Sequence, residues 1–362
     1  MTRNSAALTF TSLAALLMVS ACSGAQVAPQ GAPAPAQRVT DFESWRSMIL
    51  AAPKPQHGCL IARYPQSVWR QTRCVKPPNE PLLPARGIRR GTVGDGVDFL
   101  AAVTGRVSLA RGSFLQVSGV TSEYVHRRKH RIPNRYSLQI NTQFFTTSSC
   151  ATLGSPDPGQ CFGWEQFVYD ASSHVTAFIE YWLVDFGPQG TACPSQWHPF
   201  SFAGSSEVNC WVNSADAIPL PVQPVTALEK LDLSGAVAGA LGSTDAAVLS
   251  VAGTAAYYVN GDNWFPDLNE QWQDAEFNVF GNSDGDEAYF NAGSTIVVRT
   301  EVDSGAATAP SCSTGGFTGE TNNLTLTATR RRWPKAQYPS VVFEESNAVT
   351  APASCATEKA QK

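Results

Sequence analysis

The chain has 362 residues, 43% hydrophobic and 15% charged, which allows one large domain or two moderate ones with a sizeable core. Its 28 glycines, 24 prolines, 18 Phe, 9 Tyr and 9 Trp argue against a coiled coil or an extended disordered chain. Acidic residues outnumber basic ones, 30 to 26, so nucleic-acid binding has no global electrostatic support, and nothing after residue 20 is apolar for long enough to span a bilayer.

Residues 1–21 read as an export signal, with Met1-Thr2-Arg3-Asn4 followed by an apolar stretch from Ala6 to Val19. The stretch ends Val19-Ser20-Ala21-Cys22. That ending resembles the lipobox of bacterial lipoproteins, in which the peptide is cut before a cysteine that takes lipid. The resemblance implies a lipidated Cys22 and membrane attachment through buried acyl chains. Ser23, rather than Asp, follows the cysteine, which is similar to outer-membrane sorting. An ordinary signal peptide with a chance cysteine is the alternative. Residues 22–38, rich in Ala, Pro, Gly and Gln, read as a flexible linker that lets a folded body stand off the membrane.

With Cys22 set aside, eight cysteines remain: Cys59, Cys74, Cys150, Cys161, Cys193, Cys210, Cys312 and Cys355. An even set in an exported chain favours disulfides. Connectivity is not deducible from the count, but spacing suggests neighbours: 59 with 74, 150 with 161, 193 with 210, and 312 with 355. No close Cys-x-x-Cys pair suggests structural zinc, and no cysteine is left over as a nucleophile. No metal and no cofactor are expected.

In chain order, Thr40-Asp41-Phe42-Glu43 looks like a capping box, and Phe42, Trp45, Met48 and Ile49 follow with helical spacing, so a helix is expected over about 41–51. Residues 39–90 read as a helix plus an irregular, disulfide-stapled extension. From there to residue 358 the pattern is β. Strands are expected at 97–103, 106–118, 135–146, 162–170 and 174–186. The stretch 225–241 reads as a strand or turn with a short helix. Paired strands follow at 244–250 and 253–259, and Asn260-Gly261-Asp262-Asn263 suits a tight hairpin. Further strands are expected at 274–280, 287–291, 294–302, 322–331 and 338–344. Many short strands with frequent turns and no βαβ alternation predict an all-β sandwich or barrel over 91–358, and the expected form is an antiparallel two-sheet sandwich of concanavalin-like or jelly-roll type.

Of two basic stretches, Arg330–Arg332 reads as a solvated strand end and His126–Arg131 as an exposed loop that also suits anionic head groups or polysaccharide near the anchor. The acidic turn Asn282–Glu287 lacks full EF-hand spacing. There is no HExxH, GxSxG or P-loop. What remains is carboxylate and amide chemistry. Period two puts Gln139, Asn141 and Gln143 on one face of their strand, and Glu276 with Asn278 on one face of theirs. Such faces fit an open, wet groove or a plain solvent face. Glu165, Glu180 and the Glu344-Glu345 pair are the other acids on or beside strands.

The segments SLQINTQFF, GWEQFVYD, AEFNVFG and AYFNAGSTIVV, over about 137–300, resemble the order of motifs in glutamic peptidases of the eqolisin type. There a strand carrying the catalytic Gln precedes an aromatic strand, and a strand similar to AEWIVE comes later. The resemblance implies a two-sheet sandwich and endopeptidase activity at acid pH. Gln139 matches the Gln and would donate its amide to the oxyanion. Glu276 matches the first Glu of the later motif and would act as general base. Phe280 stands where that motif has its second Glu. Trp164, Glu165 and Asn141 are the expected substrate-binding residues. The alternatives are a non-catalytic surface lipoprotein and a carbohydrate-binding or carbohydrate-cleaving sandwich, with Trp264, Trp272 and Tyr289 as sugar-stacking rings.

Overall fold

A computed structural model describes residues 35–54, 58–86, 91–127, 130–172, 174–329 and 333–361. The expected signal, Cys22 and most of the expected linker lie outside the described residues, as do His57, Arg128, Lys129 and Arg330–Arg332. The protein is an all-β sandwich of two large antiparallel sheets, 45% strand and 8% helix.

Sheet I runs in the order Arg70–Thr72, Cys59–Arg63, Ala255–Asn260, Ala246–Val251, Leu231–Ala236, Leu109–Ser118, Thr295–Asp303, Ser340–Ser346, Thr325–Thr327, with Cys355–Glu358 also paired to Ser340–Ser346. Sheet II runs His198–Phe200, Glu207–Asn213, Thr176–Pro188, Phe162–Asp170, Ser137–Thr142, Asp274–Phe280, Asp98–Ala102, Ser311–Gly315, with Ile218–Pro219 on Thr176–Pro188. A small third sheet holds Thr321–Asn322, Glu287–Phe290, Glu123–Arg127 and His130–Pro133. The basic stretch at 126–131 therefore falls across a strand pair.

The strand alternation decides which side chains meet between the sheets. Sheet I contributes Ala110, Phe114, Leu233, Leu249 and Val298; sheet II contributes Leu138, Ile140, Phe167, Ile179 and Phe277. Two glycines set the spacing. A Cβ on Gly112 would meet the Phe277 ring at 2.0 Å, and one on Gly235 would meet the Phe167 ring at 2.3 Å. Two sheet II aromatics thus seat in dimples that only a missing side chain provides.

The helix Pro35–Ala51 begins before the expected capping box and packs on the outer face of sheet I. Phe42, Trp45 and Ile49 are buried there against Leu60, Ala62, Val248 and Tyr258. Arg46 and Arg111 both bond Asp232, tying helix to sheet. The segment read as an irregular extension also supplies an inner strand of sheet I, Cys59–Arg63, paired with Ala255–Asn260.

All four suggested disulfides are present: Cys59–Cys74, Cys150–Cys161, Cys193–Cys210 and Cys312–Cys355. The last joins the edge strand Ser311–Gly315 of sheet II to Cys355–Glu358 of sheet I. The stretch 225–241 resolves into a 3-10 helix, Val225–Lys230, and the strand Leu231–Ala236. The hairpin expected at 260–263 does not form. Ala255–Asn260 belongs to sheet I and the next strand, Asp274–Phe280, to sheet II, so the chain crosses between layers there.

Candidate active site

Sheet II turns one face to sheet I and the other away. With Leu138, Ile140, Phe277 and Val279 in the core, Gln139, Asn141, Glu276 and Asn278 are forced onto the far face. Gln166 and Trp164 join them from Phe162–Asp170, and Glu180 and Trp182 from Thr176–Pro188. The register then aligns five polar side chains. Glu276 lies opposite Asn141, Asn141 opposite Gln166, Gln166 opposite Glu180, and Glu180 opposite Asn213, across adjacent strands. Gln139 sits in the neighbouring row, opposite Asn278.

Gln139 and Glu276 are thus on one face of paired strands, bridged by a third side chain. Asn141 Nδ2 donates to Glu276 Oε2 at 2.9 Å and to Gln139 Oε1 at 3.3 Å. Gln166 Nε2 donates to Gln139 Oε1 at 3.0 Å, and Gln139 Nε2 donates to Ser137 Oγ at 2.8 Å. The amide nearest the Glu276 carboxylate is therefore that of Asn141, which lies between the two expected catalytic groups.

The face is neither an open groove nor a solvent surface, contrary to both expectations. Gln139, Asn141, Gln166, Glu180 and Glu276 are all 0% exposed. Two segments outside the sheet cover them. Phe317 and Thr318 donate their backbone N–H groups to Glu276 Oε2 at 3.0 and 3.2 Å. Leu82 N–H donates to Glu180 Oε1 at 2.9 Å, and Leu83 N–H to Glu320 Oε1 at 2.8 Å. The two segments also bond each other, Ala85 N–H to Phe317 O at 2.7 Å and Gly319 N–H to Leu83 O at 2.5 Å. Beneath this roof, Asn141 Oδ1, Gln166 Oε1, Glu180 Oε2 and Glu276 Oε1 have no hydrogen-bond partner among the described residues.

Burial governs the charges. It pushes Glu276 up to about 7, against the pull of Asn141, Phe317 and Thr318. It raises Glu320 to about 7 and lifts Glu180 well above the usual carboxylate range. Asp98 is raised too, by burial first and then by the negative charges of Glu276 and Glu345. Asn278 Nδ2 links Asp98 Oδ2 at 3.2 Å to Glu345 Oε2 at 3.1 Å.

The remaining expected site residues fall differently. Trp164 lies on the polar face, buried, with its Nε1–H donated to Thr142 O at 2.9 Å. Glu165 does not belong with it. As the sequence neighbour of Gln166 it points to the opposite face, between the sheets, near Tyr181 and Asp245. Of the rings considered for sugar stacking, Trp272 is buried and stacked on Phe167, while Tyr289 stacks on Tyr124. Among the described residues no cluster of three or more His, Cys, Asp or Glu side chains is arranged to hold a metal ion. Sequence reasoning did not place Asp98 or Glu320 at the site. Asp98 opens a recognised strand, but Glu320 and its neighbours lie in a loop without periodic signal.

Compared with models of known protein families, with curated proteins and with solved structures, the chain matches none.

Proposed function

We propose that this chain is an exported, lipid-anchored acid endopeptidase of the glutamic type, described here in a closed form. One observation carries the reading: Gln139 and Glu276 share one face of paired strands, joined through Asn141, beneath a roof that is itself polypeptide. With the roof in place, Glu276 holds its proton at acid pH and is no base. Once water replaces the Phe317–Thr318 segment, its pKa falls back toward the ordinary carboxylate range. The ionised carboxylate then takes a proton from the water that attacks the scissile carbonyl. In this reading the amides of Asn141 and Gln139, which in the covered site donate to Glu276 and Ser137, turn to the oxyanion once substrate replaces the roof. Export and anchoring at the outer membrane are supported by the apolar N-terminal stretch, by Ser20-Ala21-Cys22, and by the pairing of the other eight cysteines, which leaves Cys22 over.

The complete burial of the row favours a second reading, a non-catalytic surface lipoprotein whose polar layer only fixes the roof. Cleavage of a denatured protein substrate, followed between about pH 2 and pH 7, separates the two. The peptidase reading expects acid-dependent cleavage that Glu276→Gln lowers by about a hundredfold or more. Absence of cleavage at every pH, also after the roof has been loosened, supports the second.

A further inference from the structure

The segment Pro81–Arg86 crosses the polar face with the contacts of a bound extended peptide. Its backbone N–H groups at Leu82 and Leu83 find the buried carboxylates of Glu180 and Glu320. The Leu83 side chain packs with Trp164, Trp182 and Trp211. Two clefts border it, both lined in part by Pro84, Arg86 and Phe202. One, of ≈ 560 Å³, is lined by Phe144, Phe162, Val184 and Phe202. The other, of ≈ 380 Å³, is lined by Asp95, Phe202, Asp284 and Glu287. Arg86 borders both, and its guanidinium lies 3.8 Å from the centroid of the Phe202 ring. Acidic side chains around an aromatic face suit a cation that stacks and pairs at once.

We infer that Pro81–Arg86 occupies a polypeptide-binding groove, and that the cleft of Asp95, Phe202, Asp284 and Glu287 is a subsite for a basic side chain of the bound chain. Arg86 borders that subsite and stacks on Phe202, one of its walls. The use of the groove for cleavage rests on the function proposed above; the subsite itself is read by binding alone.

The test uses the full chain carrying Glu276→Gln, so that a bound peptide survives. A protease recognition sequence placed between Arg86 and Gly91 is cut after folding, which frees one end of the segment. A fluorescent peptide with the sequence of Glu80–Arg86 is then titrated by anisotropy, beside the same peptide with Arg86→Ala. The expected result is binding to the cut chain about tenfold tighter than to the uncut one, with the alanine peptide about tenfold weaker. Asp284→Asn with Glu287→Gln is expected to weaken the arginine peptide and leave the alanine peptide unchanged. If the cut chain loses its near-UV circular dichroism, the uncut Leu83→Ala chain, loosened at the tryptophan nest, gives the same comparison. No binding to either opened form, or equal affinity for the two peptides, overturns the inference. Arginine-dependent binding, in a protein whose Glu276 form cuts nothing, upholds the subsite and ends only the peptidase reading.

Discussion

Glu276 is the residue whose chemistry is most altered by its surroundings. A carboxyl raised to about 7 by burial binds its proton more tightly in the folded chain than in the unfolded one. Its stabilising share is therefore complete below about pH 4.5 and lost as pH rises through about 7. Glu276→Gln keeps the shape, and its new NH2 group can take the place of the unpartnered Oε1. We expect this variant to match the parent in urea unfolding at pH 5 and to exceed it at pH 8 by on the order of 2 kcal/mol. Gly112 makes a separate demand. Adding a Cβ where the Phe277 ring already lies 2.0 Å away has to displace that ring. Gly112→Ala should cost about 1–3 kcal/mol in urea unfolding, with m unchanged if only packing is lost.

At the level of elements, the helix Pro35–Ala51 depends on Asp232 as much as on its apolar stripe. Asp232→Ala would take one carboxylate from Arg46 and Arg111 and leave them Glu43 and Glu301, and should cost about 1.5–3 kcal/mol in urea or thermal unfolding. Strands with strong alternation were legible from the chain alone. Asp274–Phe280 and Phe162–Asp170 keep their expected bounds because each holds an unbroken row of core side chains. Cys59–Arg63, Glu207–Asn213 and Ser311–Gly315 went unread, being short and set among prolines, glycines and cysteines that speak for loops. The turn at 260–263 misled because Asn-Gly marks a reversal without saying which sheet receives the next strand. The site divides the same way. Period two gave the common face of Gln139 and Asn141 and, separately, that of Glu276 and Asn278; only the pairing of the two strands showed that Glu276 and Asn141 share a face. The cover over that face comes from Pro81–Arg86 and residues 316–320, distant loop segments whose docking depends on backbone N–H groups that every sequence carries.

Across the whole molecule, buried acids outweigh the rest. Burial raises Asp170 to about 6, Glu320 to about 7, and Glu123 and Glu345 to about 8, all in the same sense as Glu276. On the other side, Arg111 and Arg46 outweigh burial and hold Glu43 down, and a hydrogen bond from Arg127 lowers Glu80. The first set loses stability as pH rises from about 4.5 to 8, the second as pH falls below about 4.5. The melting temperature should therefore peak near pH 5 and fall toward pH 8, which scanning calorimetry across that range will register. Disulfides add a constraint of another kind. Cys312–Cys355 closes a span of 43 residues and Cys150–Cys161 one of 11. Replacing the first pair by alanine should cost about 4 kcal/mol and the second about 3 by thermal unfolding. The long staple also has a mechanical consequence. It clamps one flank of the sandwich, while Val75 and Ala217, exchanging backbone hydrogen bonds, stitch the layers on another side. A frame fastened in this way is not built to gape like a bivalve shell. Its buried acids are covered instead by two loop segments, Pro81–Arg86 and residues 316–320, whose side chains can change while the sheets stay as they are.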